Sequence, residues 1–173
     1  MRNYSYVIYP ANMPNIRGLL YDLLNNGKTE SLLFTLTVVI SGAAYLLCIY
    51  VWRGGFDAVD PIFDLKFSLT LLTTVLISYH LYSHDLLPVA VTLILFFRYL
   101  NIEGTSRQNL SLVFYIVLVI LLLPVIPRFL ISSSAFGWEA LPLLLLFTVL
   151  ATEILCHEQV KALQYTSNQP VNS

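Results

Sequence analysis

The stretch Ser78–Val89, "SYHLYSHDLLPV", gathers two of the chain's three histidines, an aspartate and two tyrosines. His80 and His84 are four residues apart, so a helix continuing through them would present both on one face. Asp85 follows directly. Imidazoles that titrate near neutrality beside a carboxylate can donate to a phosphate or shuttle a proton. Histidines at this spacing also ligate zinc on helices. The plainest alternative is a polar end to an apolar helix, with Tyr79 and Tyr82 as boundary aromatics.

A second group lies in "NMPNIRGLLYDLLNNG", Asn12–Gly27. Pro14 suits an early helical position and Asn12 is placed to cap it. Ile16, Leu19, Leu20, Leu23 and Leu24 recur at threes and fours, which predicts an amphipathic helix ended by Gly27. Such a helix can lie on a bilayer surface. From it Arg17 could reach an anion, such as a phosphate at the membrane surface.

The elements that must position these residues are very apolar. Of 173 residues, 57% are hydrophobic and only 11% charged, whereas a soluble domain is about a quarter charged. The expected class is an all-α, polytopic integral membrane bundle of about five transmembrane helices plus the N-terminal amphipathic helix. The five apolar segments are Ser31–Trp52, Ile62–Tyr82, Leu86–Leu100, Leu110–Ile131 and Trp138–Cys156. The first, at 22 residues, exceeds the roughly 20 needed to cross a bilayer. Lys66, near the start of the second, is expected to snorkel to the boundary. Pro124 and Pro127 should kink the fourth. The organisation is therefore a segment 1–30 with the amphipathic helix, a bundle 31–157 and a polar tail 158–173.

Five crossings put the N-terminus and Ser78–Val89 on one side, and "NIEGTSRQN" and the C-terminus on the other. The former side holds Arg2, Arg17, Lys28 and Arg128; the latter holds Arg53, Lys66, Arg98, Arg107 and Lys161. Counts so close set no orientation. Cys156, His157 and Glu158, the natural further ligands for a histidine-bound metal, fall on the side away from His80 and His84, so no metal is expected. Asp57, Asp60 and Asp64 read as a solvated connector, Glu139 suits a helix start, and Glu153 need not be buried. Cys48 and Cys156 lie in apolar stretches without CxxC spacing and read as small core residues. A net charge of −1 with no basic stripe excludes nucleic acid as a partner.

"MPNIRGLLY" (Met13–Tyr21) followed by a spanning helix, and then "SYHLYSHDLLP" (Ser78–Pro88) opening a short apolar helix, resemble the C-terminal part of family 87 glycosyltransferases. These polytopic proteins are also labelled domain of unknown function 2029. The resemblance runs in order from about Tyr9 to Ile131. It implies a GT-C-type membrane fold that transfers a sugar, usually mannose, from a polyprenyl-phosphate donor to an extracytoplasmic lipid or glycan acceptor. It implies that His80, His84, Asp85 and Tyr82 sit near the donor phosphate at the extracytoplasmic face, with Arg17 supporting the same pocket. It thereby orients the chain in a bacterial plasma membrane, with the tail in the cytoplasm. No cofactor is implied beyond the lipid-linked sugar phosphate as co-substrate. The family's general base is an acidic residue of an early extracytoplasmic loop. No position of this chain matches it, so it is expected upstream, in an N-terminal half or partner chain.

Two other readings compete. One is a non-catalytic membrane scaffold or assembly subunit. The other is a proton or ion pathway on His80, His84 and Asp85, disfavoured because the remaining spans carry almost no ionisable relay points.

Overall fold

A computed structural model of the chain describes residues 13–24, 30–54, 60–78, 87–103, 111–112, 114–116, 118–119 and 140–167. Among the described residues every regular element is helical, as expected: α1 (Ile16–Leu24), α2 (Glu30–Val51, followed by a 3-10 turn Trp52–Gly54), α3 (Ile62–Ile77), α4 (Leu87–Glu103) and α5 (Ala140–Ser167). Two helices are long and apolar enough to cross a membrane, α2 and the Ala140–Lys161 part of α5. They correspond to the first and fifth expected spans. α4 is a shorter apolar helix, and the fourth expected span, with Pro124 and Pro127, lies for the most part outside the described residues.

α3 is central. Asp60 Oδ1 caps its start by accepting from the Ile62 N–H at 3.0 Å. Within the helix, Thr70, Thr73 and Thr74 return their hydroxyls to carbonyls one turn back. That leaves few polar groups in need of outside partners. Leu65, Leu69, Leu72 and Leu76 recur at threes and fours and are fully buried. Against them pack Phe96 and Tyr99 of α4, and Leu143, Leu146, Leu150 and Ile154 of α5. Phe114 closes on α4, edge-on to Phe96 with ring centroids 5.5 Å apart.

Cross-helix contacts fix the directions. Ser68 and Thr92 each donate a hydroxyl to the other's carbonyl at 3.4 Å, so α3 and α4 form an antiparallel hairpin. The Trp52 indole N–H donates to Thr70 Oγ1 at 2.9 Å, which places the end of α2 beside the first half of α3. Lys66 meets Glu158 and Tyr99 meets Glu153, so α5 runs parallel to α4 and against α3. One end of the bundle thus carries α1, Ser78 and Leu87; the other carries Trp52, Asp60 and the last turns of α5.

Three expectations need correction. The helix of the second apolar segment, α3, stops at Ile77, and Ser78 is extended at φ −57°, ψ 130°. His80 and Tyr82 lie outside the described residues. The last helix does not stop at Cys156 but runs on to Ser167. No glycine or proline interrupts it there, and Glu158 and Lys161 bond back to Lys66 of α3 and to Asp60, two residues before α3. Finally, Asn15 rather than Asn12 caps α1, its Oδ1 accepting from the Gly18 N–H at 2.8 Å.

Candidate functional site

α1 is docked on protein at its start. Met13, Asn15, Ile16 and Leu19 are buried, and only Leu23 of its large apolar residues is exposed. Its apolar stripe therefore serves the bundle. A polar bond of this docking joins distant parts of the chain: Asn15 Nδ2 donates to the Ser78 carbonyl at 2.7 Å. This carbonyl stands at the C-terminal end of α3, where the last turn lacks intrahelical partners. The same amide thus caps the start of α1 and satisfies the end of α3.

Arg17 occupies the first turn of α1, half-buried, two residues from that bond. Ser78 opens the histidine-bearing stretch, and Leu87 resumes the chain at the same end of the α3–α4 hairpin. The structure therefore brings Arg17 to the end of the bundle from which that stretch departs and to which it returns. His80, Tyr82, His84 and Asp85 themselves lie outside the described residues. Asn15 was missed as a site residue. Its signal, a lone polar side chain just before an apolar helical stripe, resembles any ordinary cap.

The opposite end holds a second polar group that sequence reasoning read as surface. Lys66 does not snorkel: it is 2% exposed and pairs with Glu158 at 2.8 Å. Asp64 is buried in the first turn of α3, not solvated, and faces Arg98 at 3.4 Å. Asp60 pairs with Lys161. Tyr99 donates to Glu153 at 2.9 Å. Asp64 Oδ2 and His157 Nδ1 are buried without a hydrogen-bond partner among the described residues. These contacts tie α3 to both α4 and α5. Asp57 and Glu139 lie outside the described residues. Of the cysteines, Cys48 is buried as expected and Cys156 is exposed instead. Among the described residues no three His, Cys, Asp or Glu side chains are grouped as a metal would require.

Partial burial raises the pKa of Asp60. The hydrogen bond from Lys161, the Ile62 N–H and the nearby charges of Lys161 and His157 outweigh it, so the carboxyl stays below its ordinary value. A carboxyl held low stabilises the folded state above the ordinary range and loses that contribution as pH falls through the lowered value. Thermal unfolding in detergent should therefore shift down on acidification below about pH 4. Asp60→Asn should remove part of that acid limb while leaving the neutral-pH slope unchanged. An identical acid limb in the variant would show that the pair contributes nothing.

No family model matches the chain, no curated protein matches it, and no solved structure matches it.

Proposed function

We propose that the chain is part of an integral membrane glycosyltransferase. It would bind the phosphate of a polyprenyl-phosphate-linked sugar at the extracytoplasmic face. The sugar, mannose in this reading, passes to a lipid or glycan acceptor, and no cofactor or metal takes part. The single observation that carries the reading is the Asn15–Ser78 bond. It joins the two stretches on which the family resemblance rests, "MPNIRGL" and "SYHLYSHDL", at one end of the bundle.

The physical setting agrees. Only 11% of the spanning window of α2 is buried, and Phe34, Val38, Leu46 and Tyr50 are exposed along it. In water an uncovered apolar face costs roughly 25 cal/mol per Å². In hydrocarbon it costs nothing, so a bilayer is the solvent that suits α2. Transfer from a lipid phosphate needs the departing phosphate stabilised by cationic donors. Arg17 supplies a guanidinium with two parallel N–H groups, and His80 and His84 supply imidazoles from the adjoining stretch. Asp85 would orient an imidazole, and Tyr82 would add a hydroxyl donor to the same phosphate.

The test is a transfer assay on membranes carrying this chain alone and joined to the coding sequence that precedes it in the genome. The readout is labelled sugar moved from polyprenyl phosphate to lipid or glycan. Activity in the joined form alone is expected, with the general base supplied by the added part. Activity in the short chain would make Asp22 and Asp85 the first residues to test as that base. No transfer by either well-expressed form would sink the enzyme reading in favour of a scaffold or assembly subunit.

A further inference from the structure

We propose that Asp64 and Arg98, at the end of the bundle away from α1, form a binding site for the headgroup of an aminophospholipid, with the primary ammonium on Asp64 and the phosphate on Arg98. The site is separate from the proposed sugar-donor site and needs only a bilayer around the bundle. Asp64 is 7% exposed, and its Oδ2 is buried with no hydrogen-bond partner among the described residues. Its Oδ1 faces Arg98 Nη1 at 3.4 Å, longer than the roughly 2.8 Å of a close charge-assisted bond. A carboxylate suits the first turn of α3 through the helix dipole, but Oδ2 is still left without a donor. Lys66 and Lys161, the other described lysines at this end, are engaged with Glu158 and Asp60. A buried carboxylate oxygen without a donor is costly. The group that fits it brings both N–H donors and positive charge.

Arg98 supplies the other half. Its side chain is 64% exposed, so the guanidinium has N–H groups to offer outward to a phosphate. A long side chain so exposed can turn from the carboxylate to the phosphate and open Asp64 to the ammonium. Charge stays balanced in the exchange: the carboxylate trades one cation for another, and the guanidinium gains an anion. The surroundings select a lipid rather than a soluble phosphate ester. Ile94 and Ile102 stand one turn to either side of Arg98 on the same stripe of α4, and both are exposed. Ala90, also exposed, carries the stripe on toward the start of the helix. This gives an apolar bed for an acyl chain leading away from the guanidinium. The spanning part of α5 ends at Lys161, whose bond to Asp60 puts the start of α3 at the same membrane boundary. A headgroup would meet the protein at that level.

The test titrates the full chain, purified in mild detergent, with lipids of one acyl composition and counts bound lipid by native mass spectrometry. Phosphatidylethanolamine, its N-methyl and N,N-dimethyl derivatives and phosphatidylcholine form a series that keeps the charge and removes N–H donors one at a time. Affinity should fall along the series, by ~10- to 100-fold from first to last, the scale of hydrogen bonding to a charged group. Equal affinity for the ethanolamine and choline lipids would overturn the proposal, and that comparison needs no variant. Phosphatidylglycerol brings the phosphate without the ammonium and should bind less tightly than phosphatidylethanolamine. Asp64→Asn should abolish the advantage of the ethanolamine lipid over phosphatidylglycerol, while Arg98→Gln should weaken both. An Asp64→Asn protein that melts like the wild type and keeps the full preference would remove Asp64 from the site. Soluble phosphoethanolamine is added as competitor and should displace the lipid only in large excess. Displacement at equal concentration would show that the apolar stripe contributes nothing, and the lipid assignment would fail. None of these measurements uses a sugar donor, so the result stands or falls independently of the transfer assay.

Discussion

Glu158→Gln is expected to destabilise the bundle by about 3 kcal/mol, the scale of stranding a buried charge, whereas Lys66→Met is expected to change stability by less than ~1 kcal/mol. The two residues form one ion pair, 2.8 Å long, yet they are not equivalent. The Lys66 side chain is 2% exposed and that of Glu158 is 40% exposed. Removing the carboxylate leaves an ammonium enclosed in the first turns of α3 with its neutralising partner gone. Removing the ammonium leaves a carboxylate at the edge of the bundle, where water already reaches it. Methionine also replaces the four-carbon stem with an apolar chain of similar length, so packing around Leu65 and Leu69 is preserved. The check is thermal unfolding of both single variants and the double variant in one mild detergent. The double variant should recover most of the stability lost in Glu158→Gln. Equal losses in the two single variants, or a larger loss in Lys66→Met, would mean that the pair is not anchored as its burial implies.

This pair also shows why part of the bundle was legible from sequence and part was not. α2 and α5 could be placed because an unbroken apolar run of spanning length has few other uses. The stripe of α1 could be placed too, since Ile16 and Leu19 recur at the helical period and are buried. Periodicity could not say what covers that stripe, because a bilayer surface and a protein surface select the same residues. The stop of α3 at Ile77 was not legible, because nothing in "LISYH" breaks a helix locally. At that end the Ser78 carbonyl is met by Asn15, 63 residues away in sequence. Lys66 has the same character. A lysine near the start of an apolar segment reads as a snorkelling cation until its partner is known, and Glu158 lies on another helix. The candidate site divides likewise. Counting segments was enough to bring α1 and the start of the histidine stretch to one end. The amide that joins them was not, because its acceptor is a backbone carbonyl, which every residue carries.

On the proposed glycosyltransferase reading, Arg17→Ala in the chain joined to its preceding coding sequence is expected to lower kcat/KM for the lipid-phosphate donor by about 10²- to 10³-fold, the loss seen when one preorganised donor to developing negative charge is removed. Arg17→Lys should recover only a small part of that loss. Lysine keeps the positive charge but offers it as a point, whereas the guanidinium can hold two phosphate oxygens at once. Charge without the fork and charge with it are thereby compared at one position of α1. His80→Ala and His84→Ala should also cut transfer without lowering protein abundance, since they would serve the same departing phosphate. Residues acting on one group are not independent. Adding Arg17→Ala to His84→Ala should therefore cost much less than the product of the two single losses. If the single losses simply multiply, the guanidinium and the imidazole act on different groups, and the shared phosphate pocket is wrong. Unchanged turnover in both histidine variants would remove the histidine stretch from the chemistry altogether. Met13, Ile16 and Leu19 are buried where α1 docks, and thermal unfolding of Arg17→Ala is the control for that docking. A fall in transfer in Arg17→Ala with unaltered thermal unfolding would thus report on the phosphate and not on the helix that carries it.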